Sequence, residues 1–162
     1  VTRETLDVDV LIVGGGPAGL SAALRLAQLQ QQGGEPLSIA VLEKARDAGA
    51  HMLSGAVLDP STLRDLIPDF KEKGAPLAAE VQRDRVYFLG EKGSLRLPMI
   101  PPPLRNHGNY IISLNQFVRW LAEQAERQGI DFFSGFAGQN VLTDGARVIG
   151  VRTGDRGIDR YG

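Results

Sequence analysis

The chain has 162 residues, 43% hydrophobic and 23% charged, a globular composition that excludes a disordered, collagen-like or coiled-coil protein. Its 18 Lys and Arg balance 19 Asp and Glu, for a formal charge of -1, so no basic field exists to hold nucleic acid and none is expected as a partner. The cysteine count is 0 and the histidines are His51 and His107, which removes disulfides, thiolate metal sites and a Cys nucleophile, and leaves no metal ligand set to expect.

In chain order, the first element is a strand. Residues 10–13 (VLIV) form a continuous apolar run of the kind buried on both faces of a parallel sheet. Gly14, Gly15, Gly16, Pro17, Ala18 and Gly19 follow at once, and Pro17 suits the first turn of a helix. Leu20, Ala23, Leu24 and Ala27 then recur at helical spacing until the polar break at residues 30–34. A second strand, residues 37–43 (LSIAVLE), ends in Glu43. Strand, helix and strand in this order predict a right-handed crossover joining parallel strands.

The glycines have a mechanical reading. Gly14 permits the turn off the strand, Gly16 leaves backbone bare for a pyrophosphate, and Gly19 lets the helix approach the strand. The helix start then offers free N–H groups and a positive dipole end. Glu43 stands 24 residues beyond Gly19, where a carboxylate accepts hydrogen bonds from ribose hydroxyls and repels a 2′-phosphate. The pattern specifies an ADP moiety and leaves FAD and NAD both open. A plain turn with no ligand is the weaker reading, because three consecutive glycines cost entropy that such a turn need not spend.

Residues 44–112 predict only short elements: a brief helix with Asp59 as N-cap and Pro60 at its first position, stopping before Pro68, and short strands at 81–89 and 95–99. An excursion of this length inside a domain is usually functional or covers something. The small-residue loop 49–56 can lie along an extended dinucleotide, whereas His51 on its own reads as an ordinary loop histidine. The stretch LRLPMIPPPL (95–104), with Val86, Tyr87, Phe88 and Leu89, reads equally well as an exposed apolar surface or as packing against another part of the protein.

Regular structure returns with Ser113 as N-cap and Gln116 three residues on, the pattern of a capping box. Leu114, Phe117, Val118, Leu121, Ala122 and Ala125 mark one helical face, read as core, and Gly129 closes the helix. A strand at 130–133 follows, then a hairpin of 141–143 and 148–151 around Asp144-Gly145. The fold class expected is α/β: a Rossmann-like dinucleotide-binding domain with a parallel sheet, a β-hairpin and a long irregular insertion. Both ends read as cuts through a longer protein, and no signal peptide or spanning segment is visible.

Residues 9–23 (DVLIVGGGPAGLSAA) resemble the N-terminal FAD fingerprint of glutathione-reductase-like flavoproteins. The stretches GAHMLSGAVLDP (49–60), PDFKEKGAPL (68–77) and NHGNYI (106–111) are more specific and resemble the electron transfer flavoprotein–ubiquinone oxidoreductase family, over residues 9–153 and only the first part of that family's length. The resemblance implies FAD as cofactor and transfer of electrons from reduced electron transfer flavoprotein to ubiquinone. The implied cofactor-binding set is Gly14, Gly15, Gly16, Pro17, Ala18, Gly19, Glu43, Lys44, His51, Leu53, Ser54, Gly55 and Ala56. It further implies peripheral contact of residues 86–104 with the inner membrane, on the cytoplasmic face in a bacterium or the matrix face in a mitochondrion. A [4Fe–4S] cluster would lie in a later region, since this chain has no cysteine, and no catalytic side chain is expected because the cofactors carry the chemistry. The alternatives are a soluble FAD-dependent hydroxylase or reductase of the same fold, and a non-enzymatic module that binds ADP-type ligands.

Overall fold

A computed structural model of the chain describes residues 4–52 and 55–155. It divides into two units, residues 1–52 with 115–162, and residues 53–114.

The first unit begins with β1 (Val10–Val13), α1 (Pro17–Gln31) and β2 (Ile39–Glu43). β1 and β2 pair in parallel with Val10 opposite Ile39 and Val13 opposite Leu42. Pro17 occupies the first turn of α1, and Leu20, Ala23, Leu24 and Ala27 are its buried residues. Every residue of β2 is buried. The expectation that β1 is buried on both faces is corrected: Val13 is 56% exposed. β1 stands at the end of the described strands, with β2 as its one neighbour among them.

After the second unit the chain returns as α3 (Leu114–Arg127), which starts one residue after Ser113. Its core face carries the expected Phe117, Val118, Leu121, Ala122 and Ala125, together with Trp120 and Gln124, while Leu114 is only half-buried. Gly129 closes it in a left-handed conformation, φ +81°, with Ile130 N–H donating to the Ala125 carbonyl. The next strand, β8 (Asp131–Ser134), runs parallel to β2 with Phe132 opposite Val41 and Ser134 opposite Glu43, giving the order β1–β2–β8. Last comes an antiparallel ribbon of β9 (Gly138–Asp144) and β10 (Arg147–Thr153). Its two turn residues are Gly145, at φ +58°, and Ala146, because Asp144 pairs with Arg147. The turn is therefore one residue later than the expected Asp144-Gly145.

The second unit holds β3 (Ala56–Leu58), α2 (Ser61–Leu66), β4 (Leu77–Glu80), β5 (Tyr87–Gly90), β6 (Gly93–Arg96), a 3-10 turn at Pro102–Leu104 and β7 (Tyr110–Ile112). β7 is the centre of an antiparallel sheet between β3 and β4. Asp59 is not the N-cap of α2. Pro60 is, and Asp59 Oδ1 accepts the Ser61 N–H at 2.9 Å, so Pro60 lies outside the helix. The expected strand at 81–89 is replaced by β4 before it and β5 at its end. Between them the Asp84 carboxylate accepts the Asn106 N–H at 2.8 Å and Val81 N–H donates to Asn109 O, which bends the segment around the 106–109 loop. The strand expected at 95–99 is β6, ending at Arg96. Leu97 N–H makes one further bond to Val86 O, and Pro98 has no N–H to continue the ladder.

Candidate functional site

The glycine turn leaves β1 with Gly14 N–H donating to Leu42 O at 2.8 Å, so the strand pairing runs into the bend. Gly14 then takes φ +117°, a conformation L side chains rarely adopt, with nothing among the described residues within 4 Å of where a Cβ would stand. Gly16 is the N-cap of α1 in an extended conformation, φ -82°, ψ -177°, and no side chain caps the helix. The first-turn N–H groups have no carbonyl within the helix to donate to and point off its end. A Cβ at Gly19 would run into the Gly14 carbonyl oxygen and come within 3.1 Å of Ile12 Cγ2, so only glycine lets α1 close on the turn.

Glu43 ends β2 and is only 8% exposed. Its Oε2 accepts the Gly15 N–H at 2.9 Å and its Oε1 accepts the Ala45 N–H at 2.7 Å. The carboxylate is therefore turned inward against the bend. Each oxygen uses one lone pair on the backbone and keeps another for a hydroxyl. The Glu43 carbonyl accepts the Phe136 N–H at 2.8 Å, and Ala45 O accepts the Gly135 N–H at 2.6 Å, so the exits of β2 and β8 are tied together beside the carboxylate.

An anion-seeking helix start, bare backbone at Gly14 and Gly16, and a buried acid on the same bend fit the diphosphate and ribose of an ADP moiety. The structure brings Gly14, Gly15, Gly16, Pro17, Ala18, Gly19 and Glu43 together. Lys44 and His51 are exposed on the segment after β2. Gly55, at φ +86°, and Ala56, which opens β3, belong to the second unit. Leu53 and Ser54 lie outside the described residues.

Two residues near the turn escape the sequence pattern. Met52 Cε lies 3.3 Å from where a Cβ of Gly16 would be, and the Phe132 ring lies 2.7 Å from where a Cβ of Gly15 would be. Neither carries a spacing signal, although a glycine at Gly15, between the spaced Gly14 and Gly16, is a sign of crowding. Beside β8 a cavity of about 500 Å³ is lined by Asp47, Ala48, Arg119, Ala122, Glu123, Glu126, Phe132 and Ser134. Among the described residues no group of three or more His, Asp or Glu is placed to hold a metal ion.

The family described as FAD dependent oxidoreductase matches residues 9–99, more than half of the chain and the whole of the turn and Glu43. The chain belongs to that family. It is 52% identical over 161 residues, 99% of its length, to the mitochondrial electron transfer flavoprotein-ubiquinone oxidoreductase of Dictyostelium discoideum, and covers 26% of that relative. It is 48% identical over 164 residues to the protein of that name in Pseudomonas aeruginosa, covering 99% of this chain and 30% of the relative. The chain thus spans between a quarter and a third of the length of these curated relatives. Among solved structures it resembles a geranylgeranyl bacteriochlorophyll reductase-like protein of Thermoplasma acidophilum, with a TM-score of 0.65 and 25% identity over 90% of this chain and 34% of the other. It shares a fold with a myxobacterial FAD-dependent chondrochloren halogenase, with a TM-score of 0.60 and 21% identity over 90% of this chain and 32% of the other.

Proposed function

We propose that this chain is the adenine-side FAD-binding part of an oxidoreductase that passes electrons from reduced electron transfer flavoprotein to ubiquinone. The observation that carries the reading is 52% identity, sustained over 99% of the chain, to a relative of that name. Bound FAD supplies the redox chemistry. The residues of the chain bind and orient it. First-turn N–H groups of α1 take the diphosphate, Gly14 and Gly16 leave it room, and Pro17 pre-forms the helix start. Glu43 takes the ribose hydroxyls with the lone pairs its backbone partners leave free. Gly15, Ala18, Gly19, Lys44, His51, Leu53, Ser54, Gly55 and Ala56 complete the proposed contact set.

The second unit supplies a membrane-facing surface in this reading. Tyr87, Phe88 and Leu89 on β5 and Leu95 on β6 are 46%, 71%, 75% and 67% exposed, and Met99 is 73% exposed. Such side chains, with Arg85, Lys92 and Arg96 exposed on the same segment, suit the interfacial layer of a bilayer. Among the described residues no helix is long and apolar enough to cross a membrane. The enzyme would sit peripherally on the inner membrane, facing the cytoplasm in a bacterium or the matrix in a mitochondrion. A [4Fe–4S] cluster would be held by cysteines outside these 162 residues.

The test uses the protein expressed from its complete reading frame. Flavin absorbance should bleach when reduced electron transfer flavoprotein is added without quinone, and recover on addition of a ubiquinone analogue. Flavin that ignores this donor would instead favour a soluble FAD-dependent hydroxylase or reductase, and a protein purified without flavin would favour an ADP-binding module.

A further inference from the structure

Gly15 is buried, and its φ lies outside the left-handed region, so its backbone is open to any residue. What bars a side chain there is its surroundings. A Cβ would stand 2.7 Å from both Cε2 and Cζ of Phe132 and 3.0 Å from Cβ of Glu43. The same residue donates its N–H to Glu43 Oε2. Gly15 is therefore held between an aromatic ring contributed by β8 and a carboxylate contributed by β2. Phe132 also lines the cavity shared with Ala48, Arg119, Ala122 and Ser134.

We propose that Phe132 is a positioning residue for the dinucleotide turn: its ring sets the height of the Gly15 peptide over the sheet, so that the Gly15 N–H meets Glu43 and the carboxylate faces the ribose position. The inference rests on the FAD reading above and adds to it a residue far along the chain, outside every motif that points to a nucleotide. Without the ring, the space it fills beside Gly15 would be left open. Water would then compete for the Gly15 N–H and the carboxylate that the turn now keeps for each other. The contact also explains why the second of the three glycines is a glycine.

The test is FAD binding to apoprotein made from the complete reading frame, with the melting temperature of each apoprotein as the control for folding. Gly15→Ala should weaken FAD binding roughly a hundredfold, and Phe132→Ala roughly tenfold, with Phe132→Leu recovering most of the latter loss. The contact itself is read from the double variant Gly15→Ala with Phe132→Ala, in which the methyl takes space the ring has vacated. It should bind FAD about tenfold more tightly than Gly15→Ala alone. Relief of the clash alone would give the same order, so the positioning role is read from Phe132→Ala by itself: its FAD affinity should fall at a temperature where its apoprotein is fully folded, and an unchanged affinity there overturns the proposal. A double variant no better than Gly15→Ala, through lost flavin or lost fold, overturns the proposal, as does Gly15→Ala binding FAD like the unaltered protein. Unaltered protein that binds no FAD would overturn the FAD reading itself, and the proposal with it.

Discussion

Strand β2 and the β5–β6 hairpin are made of similar material and end in opposite situations. IAVLE in β2 is buried at every residue, its last side chain included, between two parallel neighbours. YFLG in β5 is exposed at every residue and has one partner strand. Apolar content alone does not distinguish them. Burial of β2 follows from the crossover that puts β1 and β8 on its flanks, and it is this burial that carries Glu43 to the bend. The hairpin has no such neighbours among the described residues, so its aromatic and aliphatic side chains remain available to a surface outside the unit. The same hydrophobic effect serves folding in one region and, in the reading proposed here, association in the other.

Substitutions can break this contrast in graded steps. Gly19→Val should be the most damaging, because a side chain would collide with the Gly14 carbonyl; loss of about 3 kcal/mol or more, with no retained flavin, is expected from denaturant unfolding. Leu24, fully buried on α1, should cost about 3 kcal/mol when changed to Ala. Glu43→Ala strands the Gly15 and Ala45 N–H groups and removes the ribose acceptor, and should weaken FAD binding by about 1.5–3 kcal/mol in a titration of the apoprotein. Phe88→Ser should leave stability within about 0.5 kcal/mol while reducing co-sedimentation with phospholipid vesicles. Undiminished vesicle binding in that variant would remove the membrane role from the hairpin.

The smallest expected effect tests the entry into the sheet by pH. The Ser38 hydroxyl donates to Asp9 Oδ2 at 2.7 Å, and the Ser38 N–H does so as well, which holds the Asp9 carboxyl below its ordinary value. A carboxylate with a depressed folded pKa stabilises the fold above its unfolded value and loses that contribution as pH falls through the folded one. Asp9→Asn should therefore melt slightly lower than the unaltered protein at neutral pH, and the gap should close in acid, below the usual carboxylate range.

The parts of the fold that were legible in the sequence are those encoded locally. Pro17 and the spacing of Leu20, Ala23, Leu24 and Ala27 mark α1, and Ser113 with Gly129 bounds α3. The misses come from distance. β3 and β7 are three residues each, and their pairing of Ala56 with Ile112 depends on a contact made across the whole second unit. The segment after β4 has the composition of a strand, but its Asp84 carboxylate is committed to Asn106. At the site, the glycines and Glu43 announced themselves by spacing. Phe132 did not, because an aromatic residue in a strand has an ordinary explanation, and only the folded sheet, with β8 paired to β2, brings the ring against Gly15.

Gly16→Val is the most direct test of the claim that a diphosphate rests on this bend. Gly16 has an extended backbone that valine tolerates, and among the described residues a Cβ there meets only the Met52 methyl, at 3.3 Å. The apoprotein should therefore melt close to the unaltered one while flavin content, read from the visible spectrum of the protein purified from its complete reading frame, falls to near zero. A Gly16→Val protein that keeps its full complement of flavin would contradict the account.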